Sequence, residues 1–260
     1  MNVISAGIIQ FDVHVGDLEW NLEMVKKRIV SLAGQGVRLV LLPEMWSIGF
    51  ANEHLNRFCQ TTPTVLQELS MVSRNQHLTI IGSLPEEGAT GVYNTAYVVD
   101  TDGSVAATYR KVHLFSPTGE DRYFKPGRKP VVCQTSLGPI GLMICYDLRF
   151  PELCRSLALQ GAKMVAVMAQ WPAERAIHWK VLLKARAIEN QLFVLGANRC
   201  GADGDFVYAG HSRIISPSGE ALARAGKRPA ALSAAIDLNL VEQTRKRIPC
   251  LQERMPEGYA

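Results

Sequence analysis

An α/β fold, with layered sheets covered by helices, is what this sequence of 260 residues predicts. Three observations carry that expectation. Short, continuously apolar runs at residues 38–42 and 164–169 read as strands buried on both faces. Segments with apolar residues at helical spacing alternate with them, the pattern of helices laid on a sheet. Adjacent apolar runs joined by Thr101-Asp102-Gly103 read as an antiparallel hairpin, so the sheet is mixed.

Residues 3–11, β-branched and apolar, form the first strand, and the stretch from Met1 is read with it. Asp17 then caps a helix whose Leu18, Leu22, Val25, Ile29 and Leu32 share one face. Gly34-Gln35-Gly36 ends that helix, and the strand at 38–42 is stopped by Pro43. A helix over 64–75 (Val65, Leu66, Leu69, Val72) and a strand over 78–82 follow, giving β-α-β-α-β. The hairpin occupies 94–99 and 106–112. A second hairpin runs through Val131-Val132 and Leu137-Gly138-Pro139 into a strand over 140–144 that stops at Cys145. Then come helix 151–160, strand 164–169, helix 177–190, strands 193–197 and 211–215, the turn Pro217-Ser218-Gly219 and strand 232–236. With no linker, repeat or low-complexity tract, residues 1–260 read as one domain. Its polar end from about residue 243 either crosses the surface or a neighbouring subunit, or is a plain structural tail.

Composition narrows the function classes. Hydrophobic residues make up 47% and charged residues 20%, which excludes disorder and coiled coil. Basic residues number 28 and acidic ones 24, a net charge of +4, too small for a nucleic-acid partner and compatible with a small anionic substrate. The 6 cysteines form no CxxC pair and no zinc spacing, so a reduced protein without metal is expected. No leader and no membrane-length apolar run is read at the start, and the expected location is the cytoplasm.

Three segments share a grammar, a short apolar strand followed at once by an ionisable residue: Leu41-Leu42-Pro43-Glu44, Tyr109-Arg110-Lys111 and Met143-Ile144-Cys145. Strand ends are where α/β proteins build sites. Singly, each has a plain alternative: a core thiol, a solvated lysine, a helix-start glutamate. Converging, they would make one device, because a thiol needs a base to become a thiolate and donors for the oxyanion it creates.

In order and surroundings, the glutamate block, the lysine block Tyr109-Arg110-Lys111-Val112-His113-Leu114-Phe115 and the nucleophile block Cys145-Tyr146-Asp147-Leu148-Arg149-Phe150-Pro151-Glu152 resemble the nitrilase superfamily of carbon-nitrogen hydrolases. Ala185 to Gln191, Gly210-His211-Ser212-Arg213 and Pro217-Ser218-Gly219-Glu220 extend the likeness over nearly the whole chain. The resemblance implies an α-β-β-α sandwich with two mixed sheets between helix layers, and a homodimer or higher homo-oligomer. It implies Cys145 as nucleophile, Glu44 as general base and later acid, and Lys111 with the Tyr146 backbone N–H at the oxyanion. Glu120 best fits the position of a further family glutamate that orients Lys111 or the substrate, although Asp121 adjoins it. No cofactor is called for.

Within that superfamily the chain most resembles ω-amidases, through the nucleophile block, Trp171-Pro172-Ala173-Glu174-Arg175 and the run from His178 to Leu183. This implies a 2-oxo dicarboxylic acid monoamide as substrate, 2-oxoglutaramate or 2-oxosuccinamate. N-carbamoyl compounds, other aliphatic amides and nitriles are the alternatives. Arg149 either binds the distal carboxylate through its planar fork or staples the turn by pairing with Asp147 or Glu152. Trp171 and Phe115 either wall the pocket or fill the core. His178, at helical spacing with Val181, Leu182 and Ala185, reads as a partly buried structural residue. Cys59, Cys133, Cys154, Cys200 and Cys250 read as packing residues, and Arg245-Lys246-Arg247 as a solvated helix face. A catalytically silent scaffold would require loss of Glu44, Lys111 or Cys145, and a papain-like Cys-His hydrolase lacks its sequence signature around Cys145.

Overall fold

The computed structural model describes residues 3–258; Met1 and Asn2 of the first-strand reading and Tyr259 and Ala260 of the tail lie outside the described residues. The first half contains β1 (Val3–Gln10), α1 (Leu18–Gly34), β2 (Leu39–Leu41), α2 (Leu55–Cys59), α3 (Thr62–Gln76), β3 (Thr79–Gly88), β4 (Gly91–Val99), β5 (Val105–Arg110) and α4 (Glu120–Tyr123). The second half begins with β6 (Val132–Thr135), β7 (Gly138–Ile144), α5 (Pro151–Leu159), β8 (Met164–Ala169), α6 (Ala176–Asn190) and β9 (Phe193–Asn198). It ends with β10 (Ala202–Asp203), β11 (Phe206–Val207), β12 (Arg213–Ile215), β13 (Ala221–Arg224), β14 (Ala230–Asp237) and α7 (Asn239–Arg247).

Two 6-stranded sheets carry the fold, ordered β14-β1-β2-β3-β4-β5 and β13-β12-β9-β8-β7-β6. In each, three neighbouring strands are parallel, β1-β2-β3 and β7-β8-β9, and the flanking pairs are antiparallel. β2 shows why the sheets stack. Leu39 and Leu41 pack into the core shared with Leu142, Ala166 and Leu195 of the second sheet, whereas Val40 and Leu42 pack with Val25 and Ile29 of α1 and Val65 and Leu69 of α3. A strand buried on both faces has no polar alternation to show, hence its continuous apolar run. On the far side α5 packs on β7 and α6 on β9, sending Leu157 and Leu183 into the core. The result is the expected α-β-β-α sandwich. Asp17 caps α1 as expected, accepting from the Trp20 N–H at 3.1 Å.

Several elements differ from the sequence expectation. β3 runs on to Gly88 and β4 begins at Gly91, so they form one long hairpin that pairs Pro85 with Asn94 and Glu86 with Tyr93. Glu86 hid this strand, but its charge is met by Arg110 at 2.6 Å and by the Thr95 hydroxyl at 2.6 Å. β12 starts at Arg213, because His211 takes a left-handed φ of 56° that breaks the extended run. The polar end expected from residue 243 begins instead inside α7, whose Val241 is buried. Arg245 is not a solvated charge: it donates to the carbonyls of Ala162 and Asn190 at 3.1 and 3.3 Å, which docks α7.

The strand directions fix where a site can form. β3 to β4 and β4 to β5 are both antiparallel, so β5 runs with β2, and the residues after both strands emerge at one edge. Gly127 braces that edge. Its N–H donates to the Lys111 carbonyl at 2.7 Å, and a Cβ there would overlap the Arg110 carbonyl. Gly127→Ala is therefore expected to destabilise the protein by about 1–3 kcal/mol through overpacking. At roughly 2–4 °C per kcal/mol, calorimetry would register the loss as a lower Tm, and an unchanged Tm would contradict this packing.

Candidate active site

Cys145 is the first residue after β7 and opens a 3-10 turn, Cys145–Arg149. Its φ of 49° lies in the left-handed region, where a non-glycine residue costs on the order of 1–3 kcal/mol. Strained strand-to-helix turns of this kind present a nucleophile above a sheet. On the facing sheet Glu44 follows β2 and Pro43, and Met45 beside it has a φ of 45°. The Met45 N–H is held by the Ser83 hydroxyl at 2.8 Å. Gly82 leaves room for Trp46, since a Cβ there would come within 2.7 Å of the indole nitrogen.

The side chains meet between the sheets. Lys111, 2% exposed, donates from Nζ to Glu44 Oε1 at 2.8 Å and to Glu120 Oε1 and Oε2 at 2.7 and 2.8 Å. Its three donors are thus all engaged. Glu44 is fully buried; Oε1 also accepts from Asn94 Nδ2 at 2.9 Å, Oε2 accepts from the Gln170 N–H at 3.0 Å, and the neighbouring Cys145 thiol acts to lower the carboxyl. Glu120, on α4, accepts the Phe115 N–H at 2.7 Å, tying the ammonium's partner to a pocket wall.

Burial raises the Glu44 carboxyl above its ordinary value, with the charge of Lys111 opposing. Burial likewise pushes the Cys145 thiol well up, reinforced by Glu44 and opposed by Lys111. For Lys111, burial works against the charge, but Glu120 and Glu44 outweigh it and hold the ammonium protonated. A carboxyl raised above its ordinary value beside a thiol held protonated brings the proton affinities of the two groups into one coupled pair.

Above this cluster opens a cavity of about 970 Å³ that reaches Glu44, Lys111, Glu120 and Cys145. Tyr146, Phe115, Arg149 and Trp171, all singled out in the sequence, line it. Phe115 meets Tyr146 edge-on at 4.9 Å, and the Arg149 guanidinium lies 4.7 Å from the Trp171 ring centre. Neither turn-stapling pair of Arg149 forms. Asp147 is occupied by Tyr109 and His113, and Arg149 reaches His178 Nδ1 at 3.4 Å. His178 is exposed rather than partly buried, because α6 turns Trp179 and Leu183 inward instead. Cys250 is exposed as well, so it is no packing residue, whereas Cys59, Cys133, Cys154 and Cys200 are buried.

Sequence reasoning missed Asn94 and Gln170. Gln170 directly follows β8 and so obeys the strand-end grammar that exposed the others; its amide donates to the Glu44 carbonyl at 2.9 Å and accepts from buried Arg199 at 3.0 Å. Asn94 gives no such signal, since it lies within β4. Among the described residues no group of three or more His, Cys, Asp or Glu could hold a metal ion.

The carbon-nitrogen hydrolase family model matches residues 5–246. The 2-oxoglutaramate amidase of Bacillus subtilis is 33% identical over 96% of this chain and 97% of its own length. A solved carbon-nitrogen hydrolase from Helicobacter pylori G27 superposes with a TM-score of 0.94 at 27% identity, covering 99% of this chain and 97% of that one. A glutamate-to-glutamine mutant of the amidase from Nesterenkonia sp. AN1, solved with the acetamide moiety of fluoroacetamide covalently added at its active-site cysteine, superposes with a TM-score of 0.88 at 28% identity, covering 98% of this chain and 95% of that one. This chain, with its half-buried thiol and buried ammonium and carboxyl at the strand ends, belongs to the carbon-nitrogen hydrolase family, the nitrilase superfamily, and is an amidohydrolase.

Proposed function

We propose that the substrate is a small dicarboxylic acid monoamide, 2-oxoglutaramate or 2-oxosuccinamate, and that its terminal amide is hydrolysed through a thioester at Cys145. One observation carries the substrate class. Arg149 forms no ion pair among the described residues, and it lies in the same cavity as the thiol. A guanidinium 4.7 Å from the Trp171 ring centre is suited to a carboxylate by a bidentate pair. The 2-oxoglutaramate amidase relative supports the same class.

In this reading Glu44 takes the thiol proton as sulfur bonds to the amide carbon, and the carbonyl electron pair moves onto oxygen. That oxyanion is met by Lys111, which exchanges one of its two bonds to Glu120 for it, and by the Tyr146 backbone N–H. Glu44 then protonates the nitrogen, the carbon-nitrogen bond breaks, and ammonia leaves a thioester. Water attacks the thioester and gives its proton to Glu44, which returns it to the departing sulfur. Glu120 keeps the ammonium anchored through both half-reactions, while Phe115 and Trp171 wall the acyl chain.

We also assign the protein to the cytoplasm, where a free thiol stays reduced, and to a homodimer. Ile177, Val181 and Ile188 stand exposed along one stripe of α6, and Leu159 of α5 is exposed as well. Val181→Glu should shift sedimentation from dimer to monomer; a wild-type monomer contradicts the assembly.

Cys145→Ala is expected to abolish ammonia release from 2-oxoglutaramate with an unaltered circular dichroism spectrum, and retained turnover would remove Cys145 from the reaction. Arg149→Met should raise KM roughly tenfold to a hundredfold, the worth of a charge-assisted pair, with a smaller change in kcat. Equal KM would redirect the substrate class, and a panel of N-carbamoyl compounds, aliphatic amides and nitriles would then identify it. Because burial raises the Glu44 carboxyl, protonation should silence the base at a pH above the ordinary carboxylate value of 4.5. The acid limb of kcat/KM should thus fall as pH drops through that raised value, and a limb at or below 4.5 would contradict the assignment.

A further inference from the structure

The carboxylate of Asp147, two residues after the nucleophile, enters no step of the reaction, yet it is fully buried and accepts four hydrogen bonds. Oδ2 takes the Tyr109 hydroxyl at 2.7 Å and the Ile144 N–H at 2.9 Å. Oδ1 takes the His113 N–H at 3.0 Å and the His113 Nδ1 ring nitrogen at 2.8 Å. These donors come from two sides. Ile144 precedes Cys145, so its bond closes the turn that keeps Cys145 at φ 49°. Tyr109 and His113 bracket Lys111 by two residues on either side, so the other three bonds grip the chain that delivers the ammonium.

Neighbouring contacts make the junction rigid. The His113 ring stacks on Phe150 with centroids 3.6 Å apart, and Arg186 donates twice to the Leu148 carbonyl, at 3.1 and 2.8 Å, from the opposite side of the turn. A buried carboxylate with its acceptor positions directed at backbone, hydroxyl and ring donors has one geometry available to it.

We infer that Asp147 is a positioning residue, a buried clamp that fixes the Cys145 turn of one sheet against the Lys111 segment of the other and so sets the distance between thiol and ammonium. This rests on the reading of Cys145 as nucleophile. Displacing a reacting group by an ångström costs on the order of a hundredfold in rate, whereas substrate contacts in the cavity do not involve Asp147.

The test pairs Asp147→Asn with Tyr109→Phe. An amide at 147 cannot accept on both sides, so either the Ile144 or the His113 N–H is left facing a donor; Tyr109→Phe removes one bond and keeps the ring. Per folded molecule, kcat for 2-oxoglutaramate should fall roughly a hundredfold in Asp147→Asn and by a smaller factor in Tyr109→Phe, with KM within about twofold. The rate of Cys145 alkylation by iodoacetamide should fall in parallel with kcat. A merely structural role would lower Tm while leaving kcat and alkylation of the folded fraction unchanged, and that result overturns the inference. Should Asp147→Asn fail to fold, Tyr109→Phe decides by the same two readouts. Cys145→Ala, measured alongside, separates the failures: activity there removes the nucleophile itself, whereas an inactive Cys145→Ala with unaltered Tyr109→Phe removes only the clamp.

Discussion

An ammonium group between two sheets is costly unless anions surround it, because the penalty for taking it out of water is several kcal/mol and breaking a buried pair costs about 3–5 kcal/mol. Lys111 meets that constraint with Glu44 and Glu120, which together accept all three of its donors. The remainder of the site follows from this arrangement. Burial, and then the negative charge that two carboxylates leave around one ammonium, hold the Cys145 thiol beside them protonated. In the proposed mechanism that thiol and the Glu44 carboxyl, raised by burial, pass the proton between them without an imidazole.

The fold supplies the convergence through strand direction. β2 and β5 emerge at the same edge of one sheet, and β7 and β8 of the other bring Cys145 and Gln170 to meet them, with the Gln170 N–H on the Glu44 carboxylate. Loops that carry these residues would be free to drift apart were they not pinned. Ser83 holds Met45, Gly127 braces Lys111, and Arg199 orients Gln170. Chemistry is thus built on strand ends, with the adaptable walls of the cavity, Phe115 and Arg175 among them, left to loops and short helical turns.

Much of this was legible in the sequence because burial on both faces erases polar alternation, so the polar residue that ends such a strand stands out. Glu44 and Cys145 were visible for that reason, and the layered α/β fold with them, whereas Lys111 follows the largely exposed β5 and stood out, like the α-β-β-α arrangement itself, through the resemblance of its block. Asn94 was not, since Tyr93 and Thr95 flank it within a strand and its neighbours give no periodic clue. β3 was truncated because Pro85 and Glu86 look like an ending until Arg110 is seen across the hairpin. Helical spacing located α6 but not its rotation: the face assigned to Val181 and Leu182 is displaced from the one that buries Trp179, Leu183 and Ala187. α7 was obscured because Val241 is its only buried residue, and docking through Arg245 to backbone carbonyls leaves no hydropathy signature.

The central claim is that one carboxyl, one ammonium and one thiol in a shared chamber perform acyl transfer to sulfur. Acid-quenching the enzyme during turnover of 2-oxoglutaramate, followed by peptide mass spectrometry, reads that event directly. The account predicts an acyl adduct on the peptide containing Cys145, labile to hydroxylamine as a thioester is. Steady turnover with no adduct under any quench time, or an adduct on another residue, would contradict it.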